Sequence, residues 1–232
     1  MRPATAACCL LLLAPQLCSG DAATPRSRES PLEQALDYVT LLAGTNYGWW
    51  TGGAIPSGAP AWAADAAAPP LATVRGSSCF CAGIPNLMLR VVGRPVPCER
   101  GRADPVGGHW CGGTGAYGLN FSTVATPFSL ERAASYERGT LLGIRYHSVS
   151  NQGHVAVLLG AGPGGLLLQS FANSGPHGAD PTHPGVNTNF TLAECNARYE
   201  FCRFDYAVAP ADWLLGSSSS SSSSSEDSNG GS

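Results

Sequence analysis

Two short segments carry residue types that could do chemistry together. Ser78-Cys79-Phe80-Cys81-Ala82-Gly83-Ile84 can open a helix with a cysteine at its tip. Gly153-His154-Val155-Ala156-Val157-Leu158-Leu159-Gly160 reads as a strand that begins with a histidine. A thiol attacks as thiolate, and a free cysteine is mostly protonated near neutrality, so a site that uses one must lower its pKa. A helix N-terminus offers about half a positive charge, and an adjacent imidazole can take the proton and hold an ion pair. Backbone N–H groups at the same helix tip can stabilise an oxyanion. If the two segments meet, the chemistry is attack on a carbonyl through a thioester.

Cys81 suits the nucleophile because Ala82 and Gly83 after it are small and leave room for a substrate backbone beside the sulfur. Cys79 lies on the approach to the helix and is the weaker candidate. A buried inert cysteine or a disulfide partner is the plain alternative for Cys81. His154 stands out among five histidines because a glycine precedes it and an apolar strand follows, which places the ring on a rigid element. His109, His147, His177 and His183 sit in loops or at element ends and rank below it. A third polar group should orient the imidazole. Gln169, inside Leu166-Leu167-Leu168-Gln169-Ser170-Phe171, needs a partner if buried. An imidazole N–H would serve. Gln169 pointing to solvent stays open, and Asn173 is the second choice.

The elements that must position these residues follow from pattern. Ser30-Pro31-Leu32-Glu33 is a helix start with a cap, a proline in the first turn and the makings of a capping box. Leu32, Ala35, Leu36, Val39 and Ala43 recur at helical spacing until Gly44. An aromatic loop spans residues 45–53, and an Ala/Pro-rich loop runs on to about Val74. A second helix is expected from about Ser78 to Val92, with Pro85 early enough to be tolerated. Residues 94–138 are broken by glycines and read as a long insertion with at most short helices. Strands are expected over 140–146, 155–159, 166–172 and 203–208, with Gly160 to Gly165 as a hairpin turn. Those glycines lack the lysine and following helix of a phosphate loop. Thr191-Leu192-Ala193-Glu194 is a second capping box, opening a short helix to about Arg198. Helices first and an antiparallel sheet after make an α+β layout.

The 232-residue chain does not read as folded throughout. Residues 1–20 have the basic start, short apolar run and small residues of a secretory signal peptide, with cleavage near Gly20. Residues 217–232 are a Ser-rich tail that cannot bury apolar area and should be disordered. One domain is expected over 21–216, its core from about Ser30 to Leu215. No apolar run is long enough to span a bilayer. Charge is sparse, with a net of −3 and no basic run, which argues against a nucleic-acid partner. Three of nine cysteines leave with the signal segment and six remain. Secretion permits disulfides. Cys98 with Cys111 and Cys195 with Cys202 are the favoured local pairs, leaving Cys79 and Cys81. Cysteine spacing does not match a zinc site, so no metal or other cofactor is expected. Asn120-Phe121-Ser122 and Asn189-Phe190-Thr191 are glycosylation sequons.

With these motifs in order, the chain resembles the NlpC family of cell-wall endopeptidases, which are papain-like. The matching places are the aromatic loop Tyr47 to Gly53, Phe80-Cys81-Ala82-Gly83, Gly139-Thr140, Gly153-His154-Val155-Ala156 and Gln169. They cover roughly Leu32 to Ala172. Phe80 stands where the family has Asp, Ala82 where it has Ser, and Thr140 where it has the Asp of a Gly-Asp turn. The resemblance implies N-terminal helices packed on an antiparallel sheet in an NlpC-type fold. It also implies a Cys81-His154-Gln169 triad hydrolysing peptide or amide bonds of peptidoglycan stems, with Tyr47 and Ala82 contacting substrate. A secreted monomer is the corresponding expectation. An acyltransferase or deamidase on the same fold, and a catalytically inactive secreted binding domain, are the alternatives.

Overall fold

The computed structural model describes residues 29–48, 67–76, 78–103, 109–111, 117–118, 120–145, 153–172 and 182–216. The signal-like segment, Trp49 to Gly53, His147, Asn173, His177 and the serine tail lie outside the described residues.

Helix α1 is Pro31–Thr40 and opens on Ser30, whose Oγ accepts the Glu33 N–H at 3.2 Å. The second half of the expected capping box does not form. Glu33 instead turns its carboxylate to Arg138, at 3.0 Å. Helix α2, Leu71–Arg75, lies within the stretch read as loop. Helix α3 is Gly83–Val91. It starts later than expected, because Cys81 and Ala82 form a turn ahead of it. Pro85 falls in its first turn, where a missing N–H costs nothing. Residues Gly83 to Arg90 are all buried, so α3 is a core helix rather than an amphipathic surface one.

The region read as a broken insertion contains a hairpin, β1 (Cys98–Ala103) with β2 (His109–Cys111). Cys98 and Cys111 are Cα partners across it. The main sheet has six strands: β3 (Thr126–Pro127), β4 (Leu141–Arg145), β5 (Gly153–Leu158), β6 (Leu167–Phe171), β7 (Gly185–Asn187) and β8 (Tyr206–Val208). Their order is β3-β8-β4-β5-β6-β7, and every pairing is antiparallel. A 3₁₀ helix, Leu130–Ser135, precedes β4. Helix α4, Leu192–Arg198, follows β7 and opens on the complete Thr191–Glu194 capping box. The 3₁₀ turn Glu200–Cys202 and β8 come next, and a π-helical turn, Ala211–Leu215, closes the described chain.

The molecule is therefore α+β, with an open antiparallel sheet at its centre and both of its faces covered. Alternate side chains of each strand enter different clusters, as the period of two demands. Leu141, Val155, Val157, Leu168, Val186, Tyr206 and Val208 join α1, α3 and Trp213 on one face. Leu142, Ala156, Leu158, Leu167, Phe171 and Ala207 join Leu192, Cys195, Phe201, Cys202 and Phe204 on the other. Burial of each such aliphatic side chain contributes roughly 1.5–3 kcal/mol, so both faces contribute to stability. Trp213, fully buried, donates its indole N–H to the Gly139 carbonyl at 2.9 Å and ties the Ala211–Leu215 turn to the turn before β4. Among the described residues, no helix is long and apolar enough to cross a membrane.

Candidate active site

The thiol is set by a turn that two hydrogen bonds of the Cys79 backbone hold in place. The Cys79 N–H donates to the Asn46 carbonyl at 2.8 Å. The Cys79 carbonyl accepts the Ser170 hydroxyl at 2.6 Å. The Asn46 segment is itself fixed to β7, through Gly44 N–H to Val186 carbonyl and Val186 N–H to Thr45 carbonyl, each 2.8 Å. Gly185 makes that close approach possible. It has φ +80, and a Cβ there would strike the Thr45 carbonyl.

Cys81 then reaches the sheet at a gap in its ladder. β5 and β6 pair only at Val157↔Leu168 and Leu158↔Leu167. Along β5, Leu158 bonds toward β4 and Leu159 toward the β6 side, so by alternation the Val155 N–H also points to β6, beyond the last paired residue. The N–H groups of Val155, Ala82 and Cys81 itself all favour the thiolate form of the Cys81 sulfur. Cys81 is 6% exposed. Burial pushes its thiol up to about 11, and the three N–H groups oppose that rise without cancelling it. Cys79 is free, fully buried and pushed further up, first by burial and then by the neighbouring Cys81. The Tyr47 phenol is raised first by partial burial and then by Cys81 and Cys79, while 39% of the residue stays exposed.

His154 and Gln169 come together as expected. His154 Nε2 is 3.1 Å from Gln169 Oε1, which fixes the neutral ring as the Nε2–H tautomer donating to the amide. Gln169 is fully buried, which settles the question of its orientation. Its Nε2 donates to Cys195 Sγ at 3.3 Å, and Cys195 is joined to Cys202 as a disulfide. The pair does not, however, face Cys81. Gln169 shares the face of Leu167 and Phe171, and His154 that of Ala156 and Leu158. The ring is boxed by Phe171 and Phe201, with centroids at 5.7 and 5.5 Å. Val155, next in sequence, belongs to the Cys81 face. The imidazole thus lies across the sheet from the thiol. Burial brings its pKa down to about 4, and the Gln169 bond opposes the fall. A thiolate–imidazolium pair is not formed in this arrangement.

Three groups that hold the thiol were not singled out from sequence: Asn46, the Val155 N–H and Ser170. Only Ser170 carried a signal, as a hydroxyl within a largely apolar strand that needs an acceptor when buried. Among the other histidines, the His183 ring packs on Phe190 and its Nδ1 lies 2.7 Å from the Thr182 hydroxyl. Asn120 and Asn189 are both exposed, as sequons require. No protein-family model matches the chain, and no curated protein matches it.

Proposed function

We propose that the chain is a secreted, papain-like cysteine hydrolase of peptide or amide bonds, with Cys81 as nucleophile, and that the described conformation is its closed, protonated form. The observation that carries this reading is the setting of the Cys81 sulfur. It sits at the entry to α3, beside the small Ala82, against three backbone N–H groups. Those groups can hold a thiolate, and afterwards the oxyanion of an acylation step. Attack on the carbonyl carbon forms a thioester and expels the amine, which takes the thiol's proton. Water then cleaves the thioester to acid and thiol. His154 is one residue from the N–H that holds the sulfur, but to carry the proton its ring must come to the α3 face. The order of motifs makes cell-wall stem peptides the substrate class and an NlpC-type arrangement the finer fold.

The test compares wild type with Cys81→Ala and His154→Ala on cell-wall peptides, with circular dichroism to check folding. Loss of hydrolysis in both folded variants is the expected result. Cys81→Ala that hydrolyses as fast as wild type would sink the assignment. A second reading, an inert binding domain, is favoured by the separation of His154 and Cys81 across the sheet. It predicts that wild type itself releases no product and forms no thioester.

A further inference from the structure

Away from the thiol, at the β3–β8 edge of the sheet, lies a half-open cavity of about 200 Å³. Its lining brings together one cation, Arg132, and two carboxylates, Glu137 and Asp212. Arg132 comes from the 3₁₀ helix, Glu137 from the turn after it, and Asp212 from the closing π-helical turn. Ala207 and Ala209 leave the space between them unfilled. Among the described residues none of the three charges makes an ion pair. The nearby Arg138 is spent on Glu33 instead. Opposite charges in one cavity that do not pair with each other offer complementary contacts at separate points. The phenol of the buried Tyr136, also in the lining, is already anchored by the Ser129 N–H at 3.0 Å and helps hold the wall rigid.

We propose that this cavity binds a small zwitterion, a free α-amino acid. The ligand carboxylate meets the Arg132 guanidinium, and the ammonium meets Glu137 and Asp212. Size supports this class, since drug-sized ligands occupy roughly 300–1,000 Å³. Charge-assisted contacts at a half-open site support an affinity of about millimolar. The site is independent of Cys81 and of the hydrolase reading.

The experiment is an NMR titration of the folded protein with L-alanine, N-acetylalanine and alaninamide. The last two each remove one charge from the ligand. Alanine is expected to shift the amides around Arg132 and Asp212 saturably, at least tenfold more tightly than either analogue. Arg132→Gln should weaken alanine binding by roughly tenfold, about 1.4 kcal/mol, and Cys81→Ala should leave it unchanged. No saturable shift with alanine at millimolar concentration would overturn the proposal. So would equal binding of N-acetylalanine or alaninamide, since one charge alone would then suffice.

Discussion

Acidification should destabilise this protein through one imidazole. His154 is boxed by aromatic rings on the α4 face of the sheet, and its pKa falls from 6.5 to about 4. The unfolded chain takes up that proton below about 6.5 and the folded chain only below about 4. Between these values the unfolded state binds more protons, so stability falls as pH falls. The contribution is fully present above pH 6.5, and none of it is left to lose below about 4. The span corresponds to about 3 kcal/mol, a large part of the 5–15 kcal/mol typical of a domain. The perturbation is His154→Phe, which suits the cage of Phe171, Phe201 and Phe204. It leaves Gln169 Oε1 without its imidazole partner, a cost of about 1–3 kcal/mol that does not depend on pH. Urea unfolding at a series of pH values between 7 and 4 reads both terms. Wild type should lose about 3 kcal/mol more than the variant over that range, because other groups titrate alike in both. The imidazole signals in NMR report the same pKa directly. Titration at or above 6.5, as an imidazolium paired with a thiolate would show, refutes the placement of the ring.

Cys81, held protonated by burial with a pKa of about 11, should react with iodoacetamide at a rate that rises tenfold per pH unit from 7 to 10. Peptide mass mapping follows it, and a fast, pH-independent rate from pH 5 upward would contradict the closed form. Gly143→Ala should destabilise by about 1–3 kcal/mol, because a Cβ there collides with the ring of Tyr206 on β8. Tyr206→Leu in the same background should recover part of the loss, and a wild-type urea midpoint for Gly143→Ala alone would show the contact to be wrong.

The elements were legible where local chemistry decides them. Ser30 and Thr191 cap the helices they were read to cap, β5 and β6 lie where apolar runs predicted them, and the Cys195–Cys202 pair closes its loop. What the sequence concealed was which side of the sheet each residue serves. A strand with one wet face alternates apolar and polar residues and so declares its inward side. Val155-Ala156-Val157-Leu158 is apolar throughout because both faces are covered, and the run has no alternation to read. His154 next to such a run can belong to either face. Its burial among Phe171, Phe201 and Phe204 depends on the packing of α4 and the turn after it, some 40 residues downstream, and no local rule reaches that far. β7 and the β1–β2 hairpin escaped for a related reason: β7 and β2 are three residues long, β1 is a polar run without alternation, and all three are fixed by their partners and not by their own pattern.

The same geometry limits how chemistry could arise here. Slipping β5 by one residue against β4 would bring His154 to the Cys81 face, but it would carry Val155 and Val157 away from α3. Losing the burial of two valines costs roughly 3–6 kcal/mol, comparable to the stability of a whole domain, so a slip of the entire strand is ruled out. A bulge at Gly153–His154 avoids that cost, because it reverses one side chain and leaves the residues beyond it in register. The fold offers a place for it. β5 is paired on both sides only at Val157 and Leu158, while Gly153 to Ala156 is held by β4 alone, and Gly153 tolerates backbone conformations closed to other residues. The ring would have to leave its aromatic box and the Gln169 amide, so Gln169 would orient it only in the closed form. A hydrolase built this way would therefore work as a Cys81–His154 dyad, with the buried Gln169–disulfide contact acting as the latch that opposes it.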